Sequence, residues 1–198
     1  MKTIWVATSN AHKLEEISEI LGPSVALKSF KDLEKPFEVE ENGQTYLENA
    51  TLKARALYEI VKQPVFADDS GLEVDALGGR PGLHSARYSG PEASHQKNID
   101  KLLKELADIP AQQRTAKFRC VIVYLDQNGT SHNFEGILPG VITAERSGKG
   151  GFGYDPVFFL PDRSCTVAQL PAEEKNLISH RGLAVKKLKD FLKNCNTI

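Results

Sequence analysis

The amino-acid sequence predicts an α/β fold, with helices packed on a mixed β-sheet. Short apolar β-rich segments alternate with amphipathic segments of helical period along most of the 198-residue chain. The segment 116–136 departs from this alternation, because Asn128-Gly129 stands there between two stretches typical of strands. That dipeptide is the strongest short-range signal for a hairpin. The hairpin makes one pair of strands antiparallel, and we therefore expect a mixed sheet.

The individual elements follow in chain order. Helices are predicted from a cap at Ser9 or Asn10 to Gly22-Pro23, and then at 45–61, 94–110 and 179–192, the last with Ser179 as its N-cap. Strands are predicted at 3–7, at 24–33 together with a turn, at 64–69, in the two arms of the hairpin, and at 140–145. Residues 148–161 are predicted to be a glycine-rich loop that continues into a buried strand. The acidic segment 34–43 is expected to be a loop.

Length and composition place the chain among ordinary soluble proteins. A chain of 198 residues fits one domain, 1–198, and its formal charge of -1 provides no basic footprint for nucleic acid. The three cysteines are far apart in the sequence, which argues against disulfides or a zinc site and favours the cytoplasm. We expect neither a signal peptide nor a membrane-spanning segment.

Two acidic pairs are candidate metal ligands. Asp68 and Asp69 end an apolar strand, where unpaired charges are costly to bury. A divalent cation would relieve their repulsion, and carboxylates are ligands that Mg²⁺ prefers. A carboxylate there could also activate a water molecule as general base. Glu40 and Glu41, taken alone, are better interpreted as solvated loop charges.

Three further segments carry residues suited to an anionic or aromatic ligand. The loop TSNAHK, residues 8–13, leaves a strand and opens a helix, so that it offers backbone N–H groups and Lys13 to a phosphate. The segment GKGGFGYD places Phe152, Tyr154 and Asp155 where they could stack on a base, although both aromatic residues are equally well explained as core residues. The segment EEKNLISHR collects three cations near a helix start, namely Lys175, His180 and Arg181.

Taken together, these motifs resemble one family. TSNAHK, ENATLKA, ADDSGLEVDALGGRPGLHSARYSG, GGFGYDPVF and EEKNLISHRG occur in one order that resembles the inosine triphosphate pyrophosphatase, or Ham1-like, family. The resemblance implies an elongated α/β fold with two lobes around a central cleft, and a homodimer. It implies Mg²⁺-dependent hydrolysis of ITP, dITP and XTP to the nucleoside monophosphate and pyrophosphate. It also implies a small-molecule nucleotide as partner, and neither nucleic acid nor membrane.

The resemblance assigns a role to each matching position. Asp69 corresponds to the catalytic carboxylate that also binds metal, with Glu41 or Glu40 as second ligand and Asp68 in a supporting role. The substrate-binding positions are Thr8, Ser9, Asn10, Ala11, His12, Lys13, Lys53, Ser70, Phe152, Gly153, Tyr154, Asp155, Lys175, His180 and Arg181. Phe152 to Asp155 are expected to form one wall of the base pocket. Lys175, His180 and Arg181 are expected to form the other. Many relatives have glycine where this chain has Ser9, which puts the fine geometry of the phosphate loop in question.

Two other functions remain open at this point. One is a related pyrophosphatase acting on a modified pyrimidine or a standard nucleotide. The other is a nucleotide-sensing protein that binds without turnover, although the intact acid pair and the lysines argue against it.

Overall fold

The computed structural model describes residues 2–34 and 38–195. Within them lie seven strands: β1 Lys2–Val6, β2 Val25–Ser29, β3 Val65–Val74, β4 Thr115–Leu125, β5 Ser131–Ile142, β6 Phe158–Leu160 and β7 Cys165–Thr166. The same residues form five α-helices: α1 Ala11–Leu21, α2 Tyr46–Val61, α3 His95–Glu105, α4 Ala172–Ile178 and α5 His180–Asn194. Part of the predicted acidic loop, residues 35–37, lies outside the described residues.

The strands form one sheet in the order β2-β1-β3-β4-β5-β6-β7. β1 is parallel to both β2 and β3, whereas β6 is antiparallel to β5 and β7. β4 turns into β5 through Asp126–Thr130, where the Gly129 N–H donates to the Asp126 carbonyl oxygen. The predicted α/β fold with a mixed sheet and a hairpin at Asn128-Gly129 is therefore confirmed.

The chain divides into two compact units. The first contains the residues up to 69, 120–136 and from 180 onward, and the second contains 70–119 and 137–179. In the first unit, β3 has one apolar cluster on each face: one cluster includes α1 and α5 residues, and the other includes α2 residues. The second unit is built around a single cluster that includes Leu102 of α3 and Phe158 of β6.

Three sequence predictions of element bounds were wrong. β3 does not end at Asp68 and Asp69 but continues to Val74, because both carboxylates have cationic partners and do not interrupt the strand. Residues 140–142 are the end of β5, not a strand of their own, because Val141 and Ile142 pair with β6. The helix α4 was not predicted, and it ends immediately before Ser179, the predicted cap of α5.

Candidate active site

The alternation of side chains along β3 sends Asp68 and Asp69 to different faces of the sheet. Phe66 belongs to the cluster that includes α1 and α5 residues, and Val65 and Ala67 to the cluster that includes α2 residues. Asp68 and Asp69 continue this alternation, since successive residues of a strand point to opposite faces. The two neighbouring acids therefore face different surroundings.

Asp68 lies in a buried ion-pair cluster with α1 and α5. Its Oδ2 is 2.7 Å from Lys13 Nζ and 3.7 Å from Arg181 Nε, and its side chain has no exposed surface. Arg181 Nη1 in turn contacts Glu16 Oε2 at 2.6 Å. Burial opposes ionisation of Asp68, but the charges of Lys13, Arg181 and Lys53 outweigh it and hold the pKa of the carboxyl well below its usual range. Asp68 is therefore ionised in the folded protein.

A thiol lies directly beside this cluster. Cys120 of β4 is fully buried, with its Sγ 4.0 Å from Asp68 Oδ2. Burial, together with the negative charge of Asp68, raises the pKa of the thiol to about 12. The sulfur is thus an uncharged part of the core.

Asp69 faces α2 and the loop that precedes it. Lys53 Nζ is 3.8 Å from Asp69 Oδ1 and 3.1 Å from Glu41 Oε2, so a single ammonium group serves two carboxylates. Asn49 donates from Nδ2 to Asp69 Oδ2 at 3.2 Å. Burial raises the pKa of Asp69, and the charge of Glu41 adds to this, against the opposing attraction of Lys53 and Lys13. This carboxyl group is therefore held closer to neutrality than its neighbour.

The two glutamates of the acidic loop differ in their contacts. Glu41 accepts a hydrogen bond from Lys53, and its side chain retains 35% exposure. Glu40 is exposed and forms no ion pair with the residues that the structure describes. Of the two predicted metal-ligand positions, Glu41 is the one that the fold brings to Asp69.

The start of α1 is shaped by Asn10. Its side chain accepts hydrogen bonds from the N–H groups of His12 and Lys13, which makes Asn10, rather than Ser9, the N-cap. Thr8 Oγ1 accepts the N–H of Asn10. A phosphate at this helix start would share these backbone donors with the cap, while the Lys13 ammonium is held at Asp68.

The second unit contains the predicted base-binding segment. Asp155 accepts the N–H of Phe152 at 2.9 Å and is 2.7 Å from Lys175 Nζ. Asp155 and Lys175 are buried, and Phe152 is half-buried. Lys175 Nζ lies 4.7 Å from the centre of the Phe152 ring. Lys175 therefore lies beside Phe152 and Asp155 and not opposite them. A cavity of about 500 Å³ adjoins this segment, lined by α3 and by the loop that includes Gly148 to Gly153.

Three further predicted substrate-binding residues, Tyr154, His180 and Ser70, are buried or half-buried. Tyr154 is buried in the core of the second unit and donates its hydroxyl hydrogen to the Ser85 carbonyl oxygen at 2.9 Å. The interpretation of this residue as a core aromatic therefore holds. His180 is buried at the first position of α5, and Ser70 is half-buried in β3.

The chain matches a family model along most of its length. The model described as Ham1 family matches residues 4–191 of the chain. The protein belongs to the Ham1 family. Curated relatives support the assignment along the full length. The dITP/XTP pyrophosphatase of Shigella flexneri is 48% identical and covers 98% of this chain and 100% of its own, and that of Geobacter sulfurreducens is 50% identical and covers 97% of each.

Solved structures of the Ham1 family share the fold. The Ham1 protein of Coxiella burnetii superposes with a TM-score of 0.89 at 38% identity, over 98% of this chain and 100% of its own. Within the residues that the structure describes, no helix is long and apolar enough to cross a membrane.

Sequence reasoning missed two polar residues near the acids of this Ham1 chain, namely Glu16 beside Arg181 and Asn49 beside Asp69. Glu16 was not singled out, because nothing local shows that it meets Arg181, 165 residues away. Asn49 lies one helical turn before Lys53 on α2. That spacing was the available signal, since residues four apart on a helix share a face.

Proposed function

We propose that this protein hydrolyses non-standard purine nucleoside triphosphates, namely dITP, ITP and XTP, to the monophosphate and pyrophosphate. The observation that carries the proposal is the Asp69 carboxylate, which shares Lys53 with Glu41 and whose pKa is raised by burial. Curated Ham1 relatives that match the chain over almost its whole length are named dITP/XTP pyrophosphatases.

The carboxylates fit a divalent cation, for which we propose Mg²⁺. Among the described residues, no group of three His, Cys, Asp or Glu side chains could hold a metal ion. Mg²⁺ does not need such a group, because it is commonly bound by one or two carboxylates together with water and substrate phosphates. Asp69 and Glu41 would be those carboxylates, with Glu40 as the alternative to Glu41. The bound ion would neutralise charge on the phosphates.

The chemical step would depend on residues of this chain as follows. Asp69 accepts a proton from the water that attacks the α-phosphorus, and its raised pKa makes it a better base for that purpose. Lys53, Lys13 and the loop from Thr8 bind the triphosphate. Phosphoryl-type transfer is mostly a matter of positioning and of stabilising charge, which these cations provide.

Base selection would depend on aromatic stacking and on hydrogen-bond donors. Phe152 offers a ring face, and Lys175 beside it is a donor suited to a 6-keto oxygen. Gly153, Tyr154 and Asp155 would shape this segment, while His180, Arg181 and Ser70 are further proposed contacts. An adenine 6-amino group would leave such a donor unpaired, at a cost of about 1–3 kcal/mol for each group.

The proposal is tested by measuring pyrophosphate release with Mg²⁺ from dITP, ITP, XTP, GTP, ATP and pyrimidine triphosphates. We expect the three non-standard purine nucleotides to have the highest kcat/KM. Similar values for ITP and ATP would reject the specificity, and a pyrimidine preference would identify a different pyrophosphatase. Tight ITP binding without product would instead identify a binding protein.

We further propose that the protein is a cytoplasmic homodimer and that residues 1–198 form one domain. Ham1 membership supports both proposals. Sedimentation equilibrium checks the dimer, and a mass equal to one chain at all concentrations would reject it. Calorimetry checks the domain, since one domain is expected to unfold in one cooperative transition.

A further inference from the structure

Asn49 is a buried amide whose two polar ends are both used. It lies in the first turn of α2 with 3% exposure. Its Nδ2 donates to Asp69 Oδ2 at 3.2 Å, and its Oδ1 accepts the Gly43 N–H at 2.9 Å. A carboxylate accepts and an N–H donates, so these two partners fix which end of the amide faces which. Asn49 thereby connects β3 to the loop that carries Glu41.

The loop approaches α2 closely at Gly43. A Cβ on this residue would lie 2.7 Å from Asn49 Oδ1 and 2.7 Å from Glu48 Cβ, which only glycine avoids. The next residue repeats the contact, since the Gln44 N–H donates to Glu48 Oε2 at 2.6 Å. Glu41 is therefore attached to the helix by a hydrogen bond formed two residues further along the chain.

We propose that Asn49 is a positioning residue that holds the Asp69 carboxylate and the Glu41 loop in their relative places. The hydrogen bond at Oδ2 restricts rotation of the carboxyl group, so that Oδ1 is the oxygen directed toward Lys53. The bond at Gly43 keeps Glu41 within reach of the same lysine. This inference rests on the function proposed above, because its kinetic consequence needs Asp69 and Glu41 to act together.

Substitution of Asn49 should affect turnover more than substrate binding. Loss of a residue that orients metal-binding or catalytic groups typically costs about 10- to 100-fold in activity. We expect that loss in kcat for Asn49→Ala, with KM for dITP changed by less than about threefold, because the binding groups themselves remain. Asn49→Asp keeps the shape of the residue and the acceptor for Gly43, but it removes the donor to Asp69. It should lose at least as much kcat as Asn49→Ala.

Hydrogen exchange gives a readout that does not depend on activity. The Gly43 amide hydrogen should be protected in the wild type and in Asn49→Asp, and it should exchange faster in Asn49→Ala. Gly43→Ala breaks the same link from the loop side. Its effect on kcat should therefore be strongly non-additive with that of Asn49→Ala in a double-mutant cycle.

Asn98→Ala is the matched control. Asn98 is equally buried at 2% exposure, and its amide bonds to backbone groups of Ser85, Ala86 and Ser89 in the second unit. We expect this variant to lose thermal stability and to keep kcat at a temperature where it remains folded.

The outcomes separate the positioning role from the proposed function. The inference would be overturned if Asn49→Ala and Asn49→Asp both had a kcat as high as that of Asn98→Ala. It would also be overturned if the Gly43 amide hydrogen exchanged at the wild-type rate in Asn49→Ala. If Asn49→Ala does not fold, Asn49→Asp decides the kinetic part. A wild type that releases no pyrophosphate from any triphosphate rejects the proposed function, and the exchange at Gly43 still decides whether Asn49 makes the link.

Discussion

The side chains of Asp68 and Asp69 leave β3 on opposite faces, and each meets a different set of charges. Asp68 is next to Lys13 and Arg181, and its pKa is low, whereas burial raises the pKa of Asp69. Strand alternation places such neighbours on opposite faces, so this part of the arrangement follows from the sequence once β3 is known to be a strand. The partners could not be predicted, because Lys13 lies 55 residues before Asp68 and no local pattern joins them.

Asp68→Asn should destabilise the protein strongly near neutral pH. It removes the carboxylate from the partly buried Lys13 and leaves the buried Arg181 with its contact to Glu16. Removal of one partner from a buried ion pair typically costs about 3–5 kcal/mol. A carboxyl group with a lowered folded-state pKa stabilises above its unfolded pKa of about 3.9, and this stabilisation is lost as the pH falls toward the folded pKa. Urea unfolding at pH 7 and pH 3 measures both effects. An equal loss of unfolding free energy in the variant at the two pH values would contradict the lowered pKa of Asp68.

Asp69→Asn should show the opposite combination of effects. A folded-state pKa above the unfolded value means that ionised Asp69 costs stability at neutral pH, and that this cost disappears as the pH falls through the folded pKa. We expect an unfolding free energy at pH 7 equal to or above that of the wild type, and turnover lower by about 10²- to 10⁴-fold. The exposed Asp108→Asn is the control and should keep full turnover. Wild-type turnover in Asp69→Asn would remove Asp69 from the mechanism.

At the scale of elements, periodicity and capping signals located most helices and strands. The start of α1 at Asn10 and the start of α5 after Ser179 follow from side chains that favour helix ends. The continuation of β3 beyond Asp69 could not be predicted. The sequence DDSG is typical of the end of a strand, and the cationic partners of the two acids are not visible in the sequence. The short helix α4 was missed because seven residues carry too little periodicity to identify it.

The contact between β5 and α5 depends on the absence of a side chain at Gly136. A Cβ there would lie 2.0 Å from the His180 carbonyl oxygen and 2.7 Å from the Ala184 nitrogen. Gly136→Ala must therefore displace the first turn of α5, which carries Arg181. We expect it to cost about 1–3 kcal/mol of unfolding free energy, as overpacking typically does, and to lower kcat.

The matched control for this substitution lies in the same strand. Asn133→Ala changes an exposed position of β5 and should stay within about 0.5 kcal/mol of the wild type. Denaturant unfolding and steady-state kinetics measure both variants. Equal stability of Gly136→Ala and Asn133→Ala would show that α5 tolerates the added methyl group.

At the scale of the whole molecule, the fold class was predictable, and the residues at which the chain divides into its two units were not. Alternating helices and strands with one hairpin are enough to predict a mixed α/β sheet, which the structure and the Ham1 structures confirm. β3, β4 and β5 each contribute residues to both compact units. The residue pattern of a strand does not change where the strand passes from one unit to the other. The boundary between the units after Asp69 therefore cannot be predicted from the sequence. The proposed site residues likewise come from segments that are far apart in the sequence, and no local pattern joins them.

The burial of Cys120 beside Asp68 gives the first unit its own chemical reporter of opening. Only a thiolate reacts readily with alkylating reagents, so this thiol, with a pKa of about 12, should be inert while the cluster is closed. Cys195 is exposed and is an internal standard for reagent access. Pulsed alkylation followed by mass spectrometry should label Cys195 at once and Cys120 only as urea opens the unit, and more readily in Asp68→Asn. Rapid labelling of Cys120 in the native wild type would show that the core around Asp68 is accessible.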